Sequence, residues 1–310
     1  MPRGLGMEAR SVLAREQYAM IGVLVGLLCA TTWASASVMM KELSEKLDPF
    51  TLNASRALTG GLSMLLVALV TGKTAGYHAL TPERLFFLFA SVGIGGGIGD
   101  TFYISSLPRI GVSRAFPIAS TYPALTLLFG LIFLHERVNL AIIAGLVLVL
   151  GGIMLVSGLG VKNGAGRALP LASSGVAFAL VASLCWGAGT TLVAPGIEGL
   201  DSLMVASVRT PAYALVLCGI VALRKTYTEL FKLSRKEWLL LVSSGFMGWG
   251  LGSVLFLLTI SLVGPTRGAI LTSTAPLFAL PLSVIFLKER VNLPILVGTV
   301  LTVAGIVIVS

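Results

Sequence analysis

Charged side chains are scarce in this sequence. Asp, Glu, Lys and Arg make up 11% of its 310 residues, while 56% are hydrophobic; soluble domains carry about 25% charged residues. This composition excludes an ordinary water-soluble domain. A membrane-spanning helix takes about 20 residues, so ten of them would leave roughly 110 residues for loops and an N-terminal tail. No sizeable soluble domain fits in that remainder.

Cysteine and histidine are also few. The three cysteines, Cys29, Cys185 and Cys218, lie inside apolar runs without CxxC spacing, and the two histidines, His78 and His135, lie between such runs. We therefore expect no disulfide framework, no metal site and no cofactor. The sequence has no HExxH motif, nucleophile elbow or carboxylate cluster, so it does not favour an enzyme.

The excess of positive charge is dispersed along the chain. The formal net charge is +9, but Lys and Arg occur one to three at a time between apolar runs. This pattern is typical of loops beside membrane spans and not of a face that binds nucleic acid. We expect a lipid bilayer around the protein and no nucleic acid as partner.

Apolar runs predict ten membrane-spanning helices. Seven stretches contain no charge: residues 17–40, 115–134, 138–161, 168–197, 238–266, 268–287 and 291–310. Three more are each broken by one charge, namely 50–72 by Arg56, 85–108 by Asp100 and 202–223 by Arg209. The predicted fold class is all-α integral membrane. Arg10 and Arg15, followed by an apolar run and Ala34-Ser35-Ala36, also resemble a signal peptide with a small-residue cleavage site. The repeat described next argues against removal of this segment.

The two halves of the chain are copies of each other. Adding 153 to a residue number aligns the first half with the second without a gap, and Glu136-Arg137-Val138-Asn139 matches Glu289-Arg290-Val291-Asn292. Each copy holds five predicted spans, and because five is odd, the second copy must enter the membrane from the opposite side. We expect two inverted-topology five-helix repeats, at 18–158 and 171–310. This architecture is typical of transporters.

Several motifs resemble those of a known family. The series Phe102-Tyr103-x-x-x-Leu107, Ala115, Pro123, Leu134-His135-Glu136-Arg137, Gly145 and Gly152 resembles the EamA domain of the drug/metabolite transporter superfamily. A second copy is similar to Phe256, Pro276, Lys288-Glu289-Arg290, Gly298 and Gly305. The resemblance implies a ten-helix carrier of small organic solutes, typically an exporter of amino acids or related metabolites.

Three ionisable side chains interrupt the predicted spans, where each costs about 2.5–3.5 kcal/mol at the helix centre. Asp100 is the candidate for proton coupling, with a hydrogen-bonded structural Asp as the alternative. Arg56 and Arg209 are intramembrane cations at matching positions. We expect them to snorkel to the interface or to pack, in preference to binding an anion. Asp48 and Asp201 are expected to be N-caps of the same helices.

Prolines predict breaks in the fourth and ninth spans, at Pro117, Pro123, Pro276 and Pro281. Broken helices that face a cavity are where transporters place substrate-binding groups. The candidate cavity residues are Trp33, Ser37, Tyr103, Ser120, Thr121, Tyr122, Trp186, Thr190, Trp249, Ser253, Ser273 and Thr274. As the alternative, Ser and Thr bond back to their own helix. The motifs Gly95-x-x-x-Gly99 and Gly248-x-x-x-Gly252 predict close helix packing.

These patterns predict a secondary active transporter in the plasma membrane. It would export small amphipathic metabolites such as amino acids by alternating access, with coupling to protons as a candidate, as a monomer or homodimer. A sugar, nucleotide-sugar or drug carrier of the same fold stays an alternative, as does a membrane-embedded enzyme or a channel. Orientation stays open, because charge counting favours an outside N-terminus while the resemblance implies cytoplasmic termini. Trp238 is expected at the interface, and Glu136-Arg137 in local caps and ion pairs.

Overall fold

The computed structural model describes residues 7–156, 174–279 and 293–309. Within these ranges the chain is helical and contains no strand. The α-helices are α1 (Met7–Ser44), α2 (Pro49–Val70), α3 (Pro82–Val92), α4 (Asp100–Ile110), α5 (Val112–Ala119), α6 (Tyr122–Phe133), α7 (Leu140–Val156), α8 (Ser174–Ile197), α9 (Ser202–Arg224), α10 (Arg235–Gly245), α11 (Gly252–Val263), α12 (Pro265–Thr272) and α13 (Leu293–Val309).

Seven helical stretches of the described part are long and apolar enough to cross a membrane. They are Gln17–Ser44, Pro49–Val70, Pro82–Ile110, Arg114–Phe133, Ser174–Ile197, Ser202–Arg224 and Arg235–Val263. Leu140–Leu155 and Val297–Val309 are shorter apolar helices, and the predicted span 268–287 is described only to residue 279. The chain is therefore a multi-pass membrane protein, and the count of ten spans stays a prediction.

Two aspartates fix the starts of the paired helices α2 and α9. The Asp48 carboxylate accepts a hydrogen bond of 3.0 Å from the backbone N–H of Phe50, and that of Asp201 accepts one of 3.0 Å from Met204. Both bonds satisfy backbone donors that have no partner within the first turn. The N-cap predictions are confirmed.

The third and eighth predicted spans are not uniform α-helices. Each contains a π-helical segment, Gly93–Gly99 between α3 and α4 and Phe246–Leu251 between α10 and α11. Glycine-rich sequence has a weak α-helical preference, and π-bulges are frequent at functional sites. The first π segment ends directly before Asp100. The sequence predicted plain helices here, because apolar length alone does not reveal how the backbone is wound.

The fourth predicted span breaks between α5 and α6, at Ser120 and Thr121. Pro123 lies in the first turn of α6 and Pro117 lies inside α5. The ninth breaks in the same way after α12, at Ser273 and Thr274, and residues 275–279, which include Pro276, are helical again. Pro281 lies outside the described residues.

Helices of the first half pack against helices of the second. α2 packs along α9 and α7 along α13, while α1 contacts α11 and α8 contacts α3 and α4. Glycines set the closest approaches: a Cβ added at Gly145 would lie 2.9 Å from the Gly305 carbonyl oxygen, and one added at Gly152 would lie 2.5 Å from that of Gly298. These two contacts exchange when 153 is added or subtracted. We refer to residues related by this offset as mirror positions.

Candidate functional site

A central cavity lies between the two halves. Together with the open solvent at its mouth it has about 880 Å³ of space not filled by protein atoms, and it is lined from α1, α2, α3, α4, α5, α6, α8, α9, α11, α12 and both π segments. Twelve residues singled out from the sequence line it: Trp33, Ser37, Arg56, Asp100, Tyr103, Ser120, Tyr122, Trp186, Thr190, Arg209, Trp249 and Ser253. The wall therefore combines aromatic rings with hydroxyl groups and three charged side chains.

Asp100 is held in the cavity wall by the other half of the molecule. The Trp186 indole Nε1 donates a hydrogen bond of 2.8 Å to Asp100 Oδ1. The indole is fixed by ring contacts with Tyr103 and Tyr122, at centroid distances of 5.2 and 5.9 Å. Gly99 gives it room, because a Cβ there would lie 2.8 Å from Trp186 Cδ1.

The mirror positions repeat this arrangement without the carboxylate. Trp33 lies against Gly252, where an added Cβ would be 2.7 Å from the indole Nε1, and its ring is 5.2 Å from that of Phe256. Ser253 stands at the mirror position of Asp100, and its buried hydroxyl has no hydrogen-bond partner among the described residues. Each half thus supplies a tryptophan to a glycine of the other, but only the first half places a carboxylate there.

The two arginines do not snorkel. Arg56 is 3% exposed and Arg209 is 6% exposed, and both line the cavity. Of the two expected roles, snorkelling and packing, the burial agrees with packing, because α2 and α9 pack against each other with these residues on the buried side. Arg209 Nε donates a hydrogen bond of 3.3 Å to the Leu88 carbonyl oxygen. Arg56 Nε and one terminal nitrogen are buried without a partner among the described residues.

Three predicted hydroxyls do not line the cavity and bond to the preceding helical turn instead. Thr121 Oγ1 donates to the Ile118 carbonyl at 2.8 Å and also contacts Ser183. Ser273 donates to Ile270 at 2.8 Å, and Thr274 to Leu271 at 2.6 Å. For these residues the alternative reading, a bond to their own backbone, describes the geometry.

The two broken helices meet at the cavity through a hydrogen bond. Tyr122 OH lies 2.6 Å from Thr272 Oγ1, and Thr272 in turn donates to the Gly268 carbonyl at 2.8 Å. Thr272 and Phe256 both lie in the cavity wall but were not among the cavity residues predicted from the sequence. Phe256 is the mirror of Tyr103 and could have been found from the repeat. Thr272 mirrors Ala119, so the repeat held no signal for it.

Ionic and polar contacts join the halves at both ends of the helix pair α2 and α9. Arg224 pairs with Asp48 at 3.0 Å, and Lys73 pairs with the mirror residue Asp201 at 2.6 Å. Partial burial acts to raise the pKa of Asp201, but hydrogen bonds from Lys73 and the backbone of Met204 outweigh it, so the pKa lies below its ordinary value.

Two residues expected near the membrane surface were also located. Trp238 is 41% exposed at the start of α10. Glu136 is not in the local ion pair that the sequence suggested: Thr266 in α12 donates a hydrogen bond of 2.5 Å to its carboxylate. Because its partner belongs to the second half, Glu136 joins the halves instead of only closing its own turn.

The sequence of the chain matches one known protein family in both halves. The EamA-like transporter family matches residues 20–158 and again residues 173–310. The chain belongs to the EamA-like transporter family. Two matches, one in each half, account for nearly the whole length and agree with the duplication seen in the sequence.

Curated proteins with similar sequences are named as transporters. An uncharacterized transporter of Archaeoglobus fulgidus is 26% identical over 93% of this chain and 98% of its own length. The uncharacterized transporter YxxF of Bacillus subtilis is 26% identical over 66% of this chain and 63% of its own. The uncharacterized inner membrane transporter YhbE of Escherichia coli is 24% identical over 44% of this chain and 42% of its own. A solved crystal structure shares the fold, with a TM-score of 0.73 and 20% identity over 93% of this chain and 95% of the other.

Proposed function

We propose that this protein is a secondary active transporter that exports small amphipathic metabolites, such as amino acids, across the plasma membrane. The observation that carries the proposal is the central cavity, whose wall combines aromatic rings with a few polar groups contributed by both halves. Such walls suit a small organic solute with one apolar and one polar end. The family membership supports transport as the activity.

Alternating access follows from two inverted five-helix repeats, which we propose for this chain. The support is that contacts between the halves recur at mirror positions: Trp186 with Gly99 and Trp33 with Gly252, and Gly145 with Gly305 and Gly152 with Gly298. If the halves exchange conformations, the cavity opens to the other side of the membrane while the solute stays between them. A channel would need a continuous path and no such exchange.

Asp100 is the proposed proton-coupling group. Its Oδ1 accepts from Trp186, while no described residue donates to Oδ2. The Asp100 carboxylate interacts electrostatically with the Arg56 guanidinium and with the hydroxyl groups of Tyr103 and Tyr213. A carboxylate in this position can take a proton when the cavity faces one side and release it to the other, which is the usual role of ionisable groups at membrane depth.

The charges of the cavity favour neutral or zwitterionic solutes over phosphorylated ones. Nucleotide sugars carry several negative charges, and proteins bind such groups with clusters of Arg and Lys. Only Arg56 and Arg209 supply positive charge among the residues that line the described cavity. A sugar or drug carrier stays the alternative within the same fold.

The test is flux into proteoliposomes with a panel of radiolabelled amino acids, sugars and nucleotide sugars. We expect saturable exchange of an amino acid, and absence of saturable uptake or exchange across the panel would count against the proposal. Asp100→Asn should abolish flux driven by a pH gradient and leave counterflow exchange. The control is Glu198→Gln, an exposed carboxylate just beyond α8. Unchanged proton coupling in Asp100→Asn would remove Asp100 from the mechanism.

A further inference from the structure

We infer that Arg56 binds the carboxylate of the transported solute, and that an aromatic body attached to this carboxylate packs against the rings of the cavity wall. The inference rests on the proposed function and narrows it to one chemical class, aromatic carboxylates, including aromatic amino acids. It also assigns different roles to two arginines that the repeat makes equivalent in sequence.

The mirror arginines differ in their partners. Arg209 donates to the Leu88 carbonyl, whereas Arg56 has two buried nitrogens without a hydrogen-bond partner among the described residues. A buried donor of a charged group without a partner is expensive to maintain. These two nitrogens are closed off from the cavity, but the remaining terminal nitrogen is not among the fully buried atoms without a partner, and Arg56 lines the cavity. A solute carboxylate would accept a charge-assisted bond from that nitrogen.

Asp100 does not satisfy Arg56. The two side chains line the same cavity and interact electrostatically. In the described part of the chain, however, they do not form an ion pair within 4.0 Å. Asp100 Oδ1 instead accepts the hydrogen bond from Trp186. With Asp100 ionised, the lining carries two positive charges and one negative. This excess of positive charge favours a solute that presents a carboxylate to Arg56.

Gly248 makes space for the Arg56 guanidinium. A Cβ added at Gly248 would lie 2.6 Å from an Arg56 terminal nitrogen. At the mirror position, Gly95, an added Cβ would meet only the backbone of Gly189 and Cys185, at 3.5 and 3.6 Å. The Arg56 guanidinium thus packs directly against Gly248, whereas Gly95 has no such contact with the side chain of Arg209.

Aromatic rings form the apolar part of the cavity. Tyr103 lies 5.6 Å from Phe116 and 5.2 Å from Trp186 between ring centroids, and Trp33 lies 5.2 Å from Phe256. All five residues line the cavity. Offset and tilted ring contacts of this kind extend readily to a further flat ring. An aromatic solute would pack there while its carboxylate reaches Arg56.

The experiment compares L-phenylalanine with L-phenylalaninamide, which differ only in the exchange of the carboxylate for a neutral amide. Their inhibition of counterflow is measured on the full-length protein in proteoliposomes. Wild type should favour phenylalanine by at least about tenfold, because a charge-assisted bond is lost with the amide. Arg56→Gln should bring this ratio to about one, and Arg209→Gln should lower it less. Lys232→Gln, at an exposed cation outside the cavity, should retain it. Gly248→Ala, which displaces the guanidinium without removing it, should lower the ratio.

Two results would overturn the inference: a ratio near one in wild type, or a wild-type ratio in both Arg56→Gln and Gly248→Ala. If Arg56→Gln does not fold, as judged by size-exclusion chromatography, Gly248→Ala decides alone, and Gly219→Ala, whose added Cβ would meet nothing within 4 Å, controls for the substitution. Saturable exchange of other solutes with no preference for phenylalanine refutes this inference and leaves the carrier intact. Absence of exchange for every solute refutes the carrier itself.

Discussion

Replacement of Gly99 by alanine should separate Trp186 from Asp100 without changing either residue. The new methyl group would lie 2.8 Å from Trp186 Cδ1, 3.0 Å from Cys185 Cβ and 3.1 Å from Trp186 Nε1. Favourable contacts between such atoms are about 3.5–4.0 Å long, so the indole must move by roughly 0.5–1 Å. Tyr103 and Tyr122 bracket the ring and oppose a free rotation.

The displacement is large enough to break the hydrogen bond to Asp100. The bond is 2.8 Å long, and an added 0.5–1 Å takes it to or beyond the roughly 3.2 Å limit of ordinary N–H···O bonds. A bond to a charged group contributes about 1.5–3 kcal/mol, which corresponds to about 10- to 150-fold in an equilibrium constant. We expect flux driven by a pH gradient to fall by about tenfold or more.

The assay is gradient-driven flux in proteoliposomes, with protein incorporation measured for each variant. Gly219→Ala is the matched control, because an added Cβ there meets nothing within 4 Å and the substitution also lies in a helix. Flux of Gly99→Ala equal to that of Gly219→Ala would refute the reasoning that Asp100 depends on the Trp186 bond.

Three further predictions concern stability. Gly60→Ala should destabilise the protein by about 1–3 kcal/mol, because its Cβ would lie 2.5 Å from the Gly245 carbonyl and the Gly250 nitrogen; a thermal midpoint in detergent equal to wild type would contradict this. Tyr122→Phe should cost about 0.5–1.5 kcal/mol through loss of the bond to Thr272, read as a lower midpoint. The lowered pKa of Asp201 means that its contribution to stability is present at neutral pH and is lost as the pH falls through that pKa. Wild type should therefore lose its stability advantage over Asp201→Asn as the pH falls below the ordinary carboxyl pKa of 3.8, and a difference that does not change with pH there would exclude this linkage.

Much of the fold could be predicted from the sequence, because membrane depth restricts which residues are tolerated. Long apolar runs, the N-cap aspartates and the duplicated Pro123 and Pro276 each report a local backbone preference. The rotation of each helix about its own axis is not encoded locally. For this reason the sequence left Arg56 either snorkelling to the interface or packing, and the packing of α2 along α9 buries it beside the cavity.

Site residues that occupy equivalent positions in the two repeats could be predicted from the sequence. Site residues that reach the cavity through one particular contact could not. Trp33 and Trp186 were found because they occupy mirror positions. Thr272 has no polar mirror, and it faces the cavity only because the end of α12 meets Tyr122 across the two halves. Thr121 could not be separated from Ser120 by sequence, since adjacent residues on a broken helix differ only in the direction of their side chains.

The central claim, alternating access by one cavity, is tested most directly by trans-stimulated counterflow. Purified protein is reconstituted, and uptake of a labelled solute identified in the panel is measured with and without unlabelled solute on the opposite side. We expect saturable uptake that accelerates when the opposite side is loaded, because the loaded cavity returns faster than the empty one. Uptake that rises linearly with concentration and ignores the opposite side would contradict it.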